Sequence, residues 1–84
     1  MPYTIVFRPS AKRELHKLPK QSIKIVSDAI DALAINPRPT GYKKLVSKTS
    51  FRIRVGNYRI VYDIQDKQLV IEVLKVADRK EVYR

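Results

Sequence analysis

The chain has 84 residues, enough for one small domain, and its 18 lysines and arginines against 8 acidic residues give a formal charge of +10. This positive balance favours a polyanionic partner such as nucleic acid or an acidic protein. With no cysteine the chain has neither a disulfide nor a thiol nucleophile, which fits a reducing compartment. No apolar stretch is long enough to span a membrane and no secretory signal is recognisable, so we expect a single cytoplasmic domain over residues 1–84.

The first half of the sequence predicts one strand followed by two helices. Apolar residues alternate with their neighbours over positions 3–7, which indicates a strand. Ser10 is the expected cap of a short helix, and Pro19 ends that helix. From residue 20 to residue 36 an apolar stripe at helical spacing predicts a longer amphipathic helix, which Pro37 interrupts.

The segment from Phe51 to Tyr62 has the pattern of a β-hairpin. Gly56 and Asn57 form a two-residue turn signal between two alternating runs, and this fixes a register in which Arg54 lies opposite Arg59. Because side chains alternate between the faces of a sheet, the hairpin has one apolar and one basic face. The apolar face comprises Phe51, Ile53, Val55, Tyr58, Ile60 and Tyr62, and the basic face comprises Arg52, Arg54, Arg59 and Val61.

The last strongly β-forming run covers residues 69–76 and follows a polar turn, while residues 42–46 can add an edge segment. If the last run pairs with the hairpin, Glu72 lies beside the arginines and is placed to orient Arg59. The order β-α-α-β-β-β predicts an α+β fold. In this fold a helical hairpin packs on one face of a mainly antiparallel four-stranded sheet and the opposite face stays open.

Few catalytic arrangements are compatible with this composition. His16 is the single histidine, so a two-histidine acid–base ribonuclease is excluded. The aspartates show no spacing that would gather them around metal ions, and two glycines cannot build a phosphate-binding loop. We therefore expect no metal and no other cofactor. Lys43, Lys44 and Lys48 are expected to attract a phosphate backbone at long range rather than to take part in chemistry.

The arginine face remains as the candidate site. Like charges directly opposite on a sheet oppose folding, so the Arg54 and Arg59 pair calls for a compensating anion. Arginine suits phosphate because its planar fork donates paired hydrogen bonds and stays charged. A solvated face, or a docking patch for an acidic protein, is the alternative interpretation.

Most of the sequence resembles the RelE-type toxins of the RelE/ParE superfamily. The resemblance lies in the hairpin at 51–62, the strand at 69–76 and the tail from Asp78 to Tyr83, together with the opening strand, the first helix and the Asn-Pro break. It implies the toxin half of a prokaryotic type II toxin-antitoxin pair, a metal-independent endoribonuclease that cleaves messenger RNA in the ribosomal decoding site. The implied partners are the ribosome, its messenger RNA and an acidic antitoxin, with no membrane and no small-molecule substrate. ParE-type members share the fold but act on DNA gyrase, and this activity and a non-catalytic RNA-binding module are the alternatives.

The resemblance also implies the catalytic residues. Arg52 and Arg54 match the two basic residues before the turn, Arg59 matches the arginine after it, and Arg79 and Tyr83 match the arginine and tyrosine of the tail. The implied reaction is attack of an RNA 2′-hydroxyl on the adjacent 3′ phosphate, which leaves a cyclic phosphate and a 5′-hydroxyl. The best-known nucleases of this type carry lysines at the positions of Arg52 and Arg54. Arginine keeps their charge but cannot lose a proton to act as a general base.

Overall fold

The computed structural model describes residues 2–46 and 49–78 and shows two helices packed on one face of a five-stranded sheet. The elements in chain order are β1 (Thr4–Phe7), α1 (Pro9–His16), α2 (Lys20–Leu33), β2 (Lys43–Lys44), β3 (Phe51–Val55), β4 (Tyr58–Gln65) and β5 (Val70–Asp78). The sheet order is β1-β5-β4-β3-β2, and β1 runs parallel to β5 while the other neighbours are antiparallel. The predicted α+β fold is confirmed. The sheet has one strand more than the four predicted, because the edge segment pairs with β3 through two residues.

Prolines determine where the helices begin, and apolar stripes determine how they pack on the sheet. Pro9 takes the first turn of α1, where its fixed φ and missing N–H are tolerated, and Arg8 precedes it without a side-chain cap. Ser10 therefore lies inside the helix, and its predicted role as the cap is wrong. α2 starts directly after Pro19 and ends at Leu33, before the predicted end at residue 36. The buried helix residues that form the core with the sheet are Ala11, Leu15, Val26, Ile30 and Leu33. Neither helix, among the residues described, has the length and apolarity needed to cross a membrane.

The hairpin has the predicted register. Arg54 pairs with Arg59 and Val55 with Tyr58 across a turn in which Gly56 has a φ of 57°. A positive φ at the first turn residue is open to glycine at little steric cost, which explains why the sequence signal identified this turn. The apolar face of the hairpin packs against the helices, and Ile60 and Tyr62 are completely buried. The opposite face carries the arginines.

A β-bulge in β5 changes the neighbours of the arginine face. Val61 pairs with Lys75 but Tyr62 pairs with Val73, so Leu74 is an extra residue on β5. Arg59 consequently lies opposite Ala77, and Glu72 lies opposite Asp63. The prediction that Glu72 orients Arg59 is wrong, because the two residues belong to pairs four positions apart on β4.

The first helix covers the edge of β5 beyond the bulge, where β1 no longer pairs with it. The Glu14 carboxylate accepts a hydrogen bond from the Val76 backbone N–H at 2.9 Å and another from Lys75 Nζ at 3.2 Å. A side chain of α1 thus satisfies a donor that the sheet leaves without a strand partner. This contact fixes the distal part of β5, next to the strand that carries Arg59.

Candidate nucleic-acid interface

Arg54 and Arg59 form a basic pair across β3 and β4. The Arg54 side chain is exposed, while Arg59 is half-buried beside Ala77. The Nε atom of Arg59 is buried and has no hydrogen-bond partner in the structure. A buried donor without a partner costs free energy, and so do like charges on opposite strands. An anionic oxygen at this position would relieve both costs, which is the chemistry expected of a phosphate site.

Arg52 is held differently from the other two arginines. The sequence placed it on an open face, but it is 7% exposed. Its Nη1 lies 3.5 Å from the Gly41 carbonyl oxygen, and β2 flanks it through the pairing of Lys43 with Arg52. The guanidinium therefore forms part of the wall between β3 and the preceding loop instead of projecting into solvent.

The loop at residues 36–41, which follows α2 and contacts Arg52, is anchored at two points. The buried Tyr62 hydroxyl donates to the Pro37 carbonyl oxygen at 2.7 Å. On the surface, Asp66 accepts from Arg38 Nη2 at 2.9 Å and from the Tyr3 hydroxyl at 2.6 Å. These bonds connect the loop to β4 and to the turn before β5, and Tyr3, which precedes β1, shares the Asp66 carboxylate with Arg38.

The same contacts shift the pKa values of the groups that make them. The hydrogen bond from Arg38, followed by that from Tyr3, lowers the pKa of Asp66. The hydrogen bond to Asp66 raises the pKa of Tyr3. Loss of water around the Tyr62 hydroxyl raises the pKa of that group to about 12.

A groove of 640 Å³ lies beside the arginines, between α2 and β3. Its apolar wall includes Ala29, Ala32, Leu33, Ile53 and Val55, and its polar rim includes Asn36, Lys43, Arg52 and Arg54. A second, smaller groove of 380 Å³ crosses the open face of the sheet over Val61 and Leu74. The candidate arginines therefore border a cleft as well as a flat surface.

Of the remaining predicted site residues, two lie in the part of the chain that the structure describes and three lie outside it. Lys43 and Lys44 are exposed on β2. Lys48, Arg79 and Tyr83 lie outside the described residues. His16 is exposed at the end of α1. Over residues 2–46 and 49–78 no group of three or more potential metal ligands is found.

Sequence reasoning missed two features of the site. The first is the Gly41 carbonyl, which contacts Arg52 from a position eleven residues away. Gly41 has a φ of 90°, and the turn-forming composition around it was the available signal. The second is the pairing of Asp63 with Glu72, in which the buried Asp63 Oδ1 has no hydrogen-bond partner. The register of this pair continues from Gln65 and Val70 at the turn before β5, so the polar turn was the available signal.

Comparison with known proteins identifies close relatives of this chain. A family model described as the ParE toxin of the type II toxin-antitoxin system, parDE, matches residues 5–83. The toxin RelG of Mycobacterium tuberculosis is 36% identical over 87 residues, which cover 100% of this chain and 99% of that protein. A putative RelE-like toxin protein of Escherichia coli is 31% identical over 99% of this chain and 92% of its own length.

Solved structures agree with these sequence matches. The RelBE2 toxin-antitoxin complex of Mycobacterium tuberculosis contains a chain with a TM-score of 0.84 and 33% identity, covering 94% of this chain and 93% of its own. The archaeal RelE-RelB complex of Pyrococcus horikoshii contains one with a TM-score of 0.83 and 28% identity, covering 94% and 97%. The isolated RelE toxin of Escherichia coli has a TM-score of 0.80 and 26% identity, covering 96% and 90%.

Proposed function

This chain belongs to the RelE/ParE family of type II toxin-antitoxin toxins and is of the RelE type, and we propose that it is an endoribonuclease that cleaves messenger RNA in the ribosomal decoding site. Cleavage there would stop translation. The observation that supports this activity best is the Arg54 and Arg59 pair, in which a buried guanidinium donor lacks a partner. Such a donor is suited to the oxygen of a phosphate whose negative charge grows during the reaction.

The proposed reaction uses groups of the RNA, cations of the protein and water. The 2′-oxygen attacks the adjacent 3′ phosphorus and gives its proton to water. A 2′,3′-cyclic phosphate forms as the bond from phosphorus to the 5′-oxygen of the next nucleotide breaks, and that oxygen takes a proton from water to become a hydroxyl. Arg59 and Arg79 would bind and polarise the scissile phosphate, while Arg52 and Arg54 would stabilise the developing charge. Tyr83 would stack on a base or assist proton transfer.

Positioning by the ribosome would supply much of the rate. The arginines are poor general bases because they stay protonated at physiological pH. An RNA held in line for attack by the ribosome would gain the advantage of an oriented, effectively unimolecular reaction. Sequence specificity would then depend largely on the decoding site and less on base contacts with the toxin.

The proposed partner outside the reaction is an acidic antitoxin. Solved relatives at 33% and 28% identity are toxin-antitoxin and RelE-RelB complexes. A chain of charge +10 with an exposed basic pair would be neutralised well by an acidic protein. We propose that the antitoxin orders on binding and wraps part of the domain.

Gyrase inhibition is the second candidate, because the matching family model is described by the ParE toxin. Mapping of cut sites on messages during translation separates the two activities. Cleavage positioned by codon supports the ribonuclease, whereas DNA breaks with loss of supercoiling support the gyrase inhibitor. If neither appears, the basic face is a binding surface without catalytic activity.

A further inference from the structure

The smaller groove, of 380 Å³, lies on the open face of the sheet between the start of α1 and the loop that precedes β3. Its floor is apolar and consists of Val61 on β4 and Leu74 on β5, both half-buried. The bulge gives β5 two neighbouring residues, Leu74 and Lys75, that line the groove together. In a regular strand, one of two neighbours would point to the opposite face. The bulge thus creates this floor.

The rim of the groove carries hydroxyl groups and cations. Ser10 and Ser50 contribute hydroxyls, and Arg8 and Lys75 contribute positive charges. Lys75 Nζ is already bound to the Glu14 carboxylate at 3.2 Å. The ion pairs found among residues 2–46 and 49–78 do not include Arg8, which is exposed. The Arg8 guanidinium is therefore available to an anion that enters the groove.

An apolar floor beside an available guanidinium matches the two parts of a nucleotide. A nucleobase can bury its flat face against apolar side chains, and a phosphate accepts paired hydrogen bonds from arginine. An acidic side chain would pair with Arg8 but has no apolar face to cover Val61 and Leu74. The chemistry of the groove therefore favours one nucleotide as its occupant.

The groove adjoins the basic pair along β4. Arg59 and Val61 lie on the same face of this strand, and residues two positions apart are separated by about 7 Å. One nucleotide of an extended strand spans such a distance. If the scissile phosphate lies on Arg54 and Arg59, the neighbouring nucleotide consequently lies over Val61, in the groove.

We propose that this groove is the subsite for a nucleotide next to the scissile phosphate, with its base on Val61 and Leu74 and its outer phosphate on Arg8. The inference rests on the proposed ribonuclease function and adds an RNA contact outside the candidate arginines. An aliphatic floor packs against any base, and hydroxyl groups both donate and accept hydrogen bonds. The subsite therefore holds the strand in place without selecting a base.

Removal of the Arg8 side chain tests the phosphate contact. The matched control is Arg13→Ala, because Arg13 is an exposed arginine of α1 that does not line the groove. Single-turnover cleavage of ribosome-bound message is measured over a range of toxin concentrations. We expect Arg8→Ala to raise the half-saturating concentration about tenfold more than Arg13→Ala does, with the maximal rate within about twofold of the unaltered protein. Both variants lose one charge, so the difference reports the site.

Messages with one neutral methylphosphonate locate the contact on the RNA. The methylphosphonate replaces, in turn, the phosphate on either side of the scissile one. At one of these two positions it should weaken the unaltered protein and Arg13→Ala about tenfold but Arg8→Ala hardly at all, because that variant has already lost the contact. Ribosomal contacts with the phosphate are the same for all three proteins and cancel in the comparison.

Methyl NMR of the full chain with adenosine 5′-monophosphate tests the floor and needs no substitution. The methyl resonances of Val61 and Leu74 should shift, whereas those of Val55, in the larger groove, should not. Inorganic phosphate, which has no base, should leave the Val61 and Leu74 resonances in place.

Four results would overturn the inference. Equal effects of Arg8→Ala and Arg13→Ala, each additive with both methylphosphonates, would remove the subsite, while cleavage by the unaltered protein would leave the proposed function intact. Nucleotide-induced shifts at Val55 instead of Val61 would assign the nucleotide to the larger groove. Weaker antitoxin binding by Arg8→Ala at unchanged cleavage would identify a protein contact. Absence of cleavage by the unaltered protein would remove the subsite and the proposed function together.

Discussion

Arg59 combines a positive charge with a buried donor that no group in the described structure satisfies. It lies on β4, between β3 and β5, so its backbone is held on both sides. A rigid backbone and an unmet hydrogen bond are the conditions under which one side chain can favour a transition state over a ground state. The Arg54 side chain opposite it is exposed and suits initial attraction.

Replacing Arg59 by alanine should slow single-turnover cleavage by about 10²–10³-fold, the usual loss for one oxyanion-stabilising donor. Ribosome affinity should change little, because many other lysines and arginines supply the attraction. Stability should be unharmed or slightly higher, since the like-charged pair with Arg54 is removed. Quench-flow cleavage of ribosome-bound message measures the rate, and filter binding measures the affinity.

The control for Arg59 is Lys20→Ala, which removes the same charge from the exposed start of α2. If both substitutions reduce cleavage equally and only through weaker ribosome binding, the arginine face is a docking patch and the catalytic assignment is wrong.

Tyr62 should make the protein sensitive to alkali. Burial raises the pKa of its hydroxyl from 10.0 to about 12, so the unfolded chain releases this proton at lower pH than the folded one. The contribution to stability is therefore complete below pH 10 and is lost as pH rises towards 12. Urea unfolding at a series of pH values should show a decline that is smaller in Tyr62→Phe.

At neutral pH the same variant should lose about 1–2 kcal/mol, because the buried Pro37 carbonyl loses its donor. The matched control is Tyr58→Phe, which removes a hydroxyl bonded to Ser22 Oγ at 3.0 Å. An alkaline decline that is the same in Tyr62→Phe as in the unaltered protein would contradict the assignment to Tyr62.

At the scale of elements, the loop after α2 joins the stable core to the basic site. Tyr62 anchors it from inside and Asp66 anchors it from outside, while Gly41 carries the carbonyl that contacts Arg52. The position of Arg52 thus depends on bonds that β4 and the turn before β5 make with this loop.

The surface contact between Asp66 and Arg38, which holds the loop after α2, should be lost in acid. The folded pKa of Asp66 is lowered, so its contribution to stability is present above the ordinary carboxyl pKa of about 3.9 and disappears as pH falls through the folded value. Asp66→Asn should therefore be less stable than the unaltered protein at pH near 7, and the difference should be smaller at a pH below the ordinary carboxyl pKa. Urea unfolding at the two pH values measures this difference.

The comparison for Asp66 is Asp28→Asn, which breaks an exposed ion pair with Lys24 at 3.4 Å within α2. Exposed ion pairs contribute little to stability, so Asp28→Asn should lower stability at neutral pH by less than Asp66→Asn does. Equal losses from both substitutions would mean that Asp66 acts only as a surface charge.

For the whole molecule, the positive charge governs association more than folding. A formal charge of +10 on 84 residues creates a field that would attract both of the proposed partners, ribosomal RNA and an acidic antitoxin. The two partners would therefore respond to salt in the same direction.

The antitoxin complex should weaken by at least about tenfold between 0.1 and 1 M salt, as the screening length falls from about 10 Å to about 3 Å. Calorimetry with the neighbouring acidic protein measures the affinity, and sucrose of equal osmolality controls for effects unrelated to charge. A complex that is indifferent to salt would contradict a charge-driven association.

Cleavage should require ribosomes but no divalent metal in the chemical step. Residues 2–46 and 49–78 hold no cluster of potential metal ligands, and the proposed reaction uses groups of the RNA itself. Naked and ribosome-bound RNA are compared at low enzyme concentration, with polyamines keeping ribosomes intact during chelation. Strong cutting of naked RNA, or loss of cutting on intact ribosomes after chelation, would refute this expectation.

The sequence alone determined the hairpin register, its two faces and the α+β class. These features follow from local rules, because a glycine with positive φ sets a turn and a period of two assigns the faces of strands. It also supported the family, since the matching residues extend over nearly the whole chain. The catalytic roles of the arginines, and of Lys48, Arg79 and Tyr83 outside the described residues, stay predictions.

Tertiary structure decided how each arginine is presented. The contact of Arg52 with Gly41 spans 11 positions and that of Glu14 with Val76 spans 62, so neither has a local signal. Glu72 pairs with Asp63, four positions from Arg59 along β4, and β2 begins only at Lys43, opposite Arg52, so no described strand pairs with Arg54 on that side. Such features depend on which surfaces meet when the elements pack, and packing joins residues that are distant along the chain.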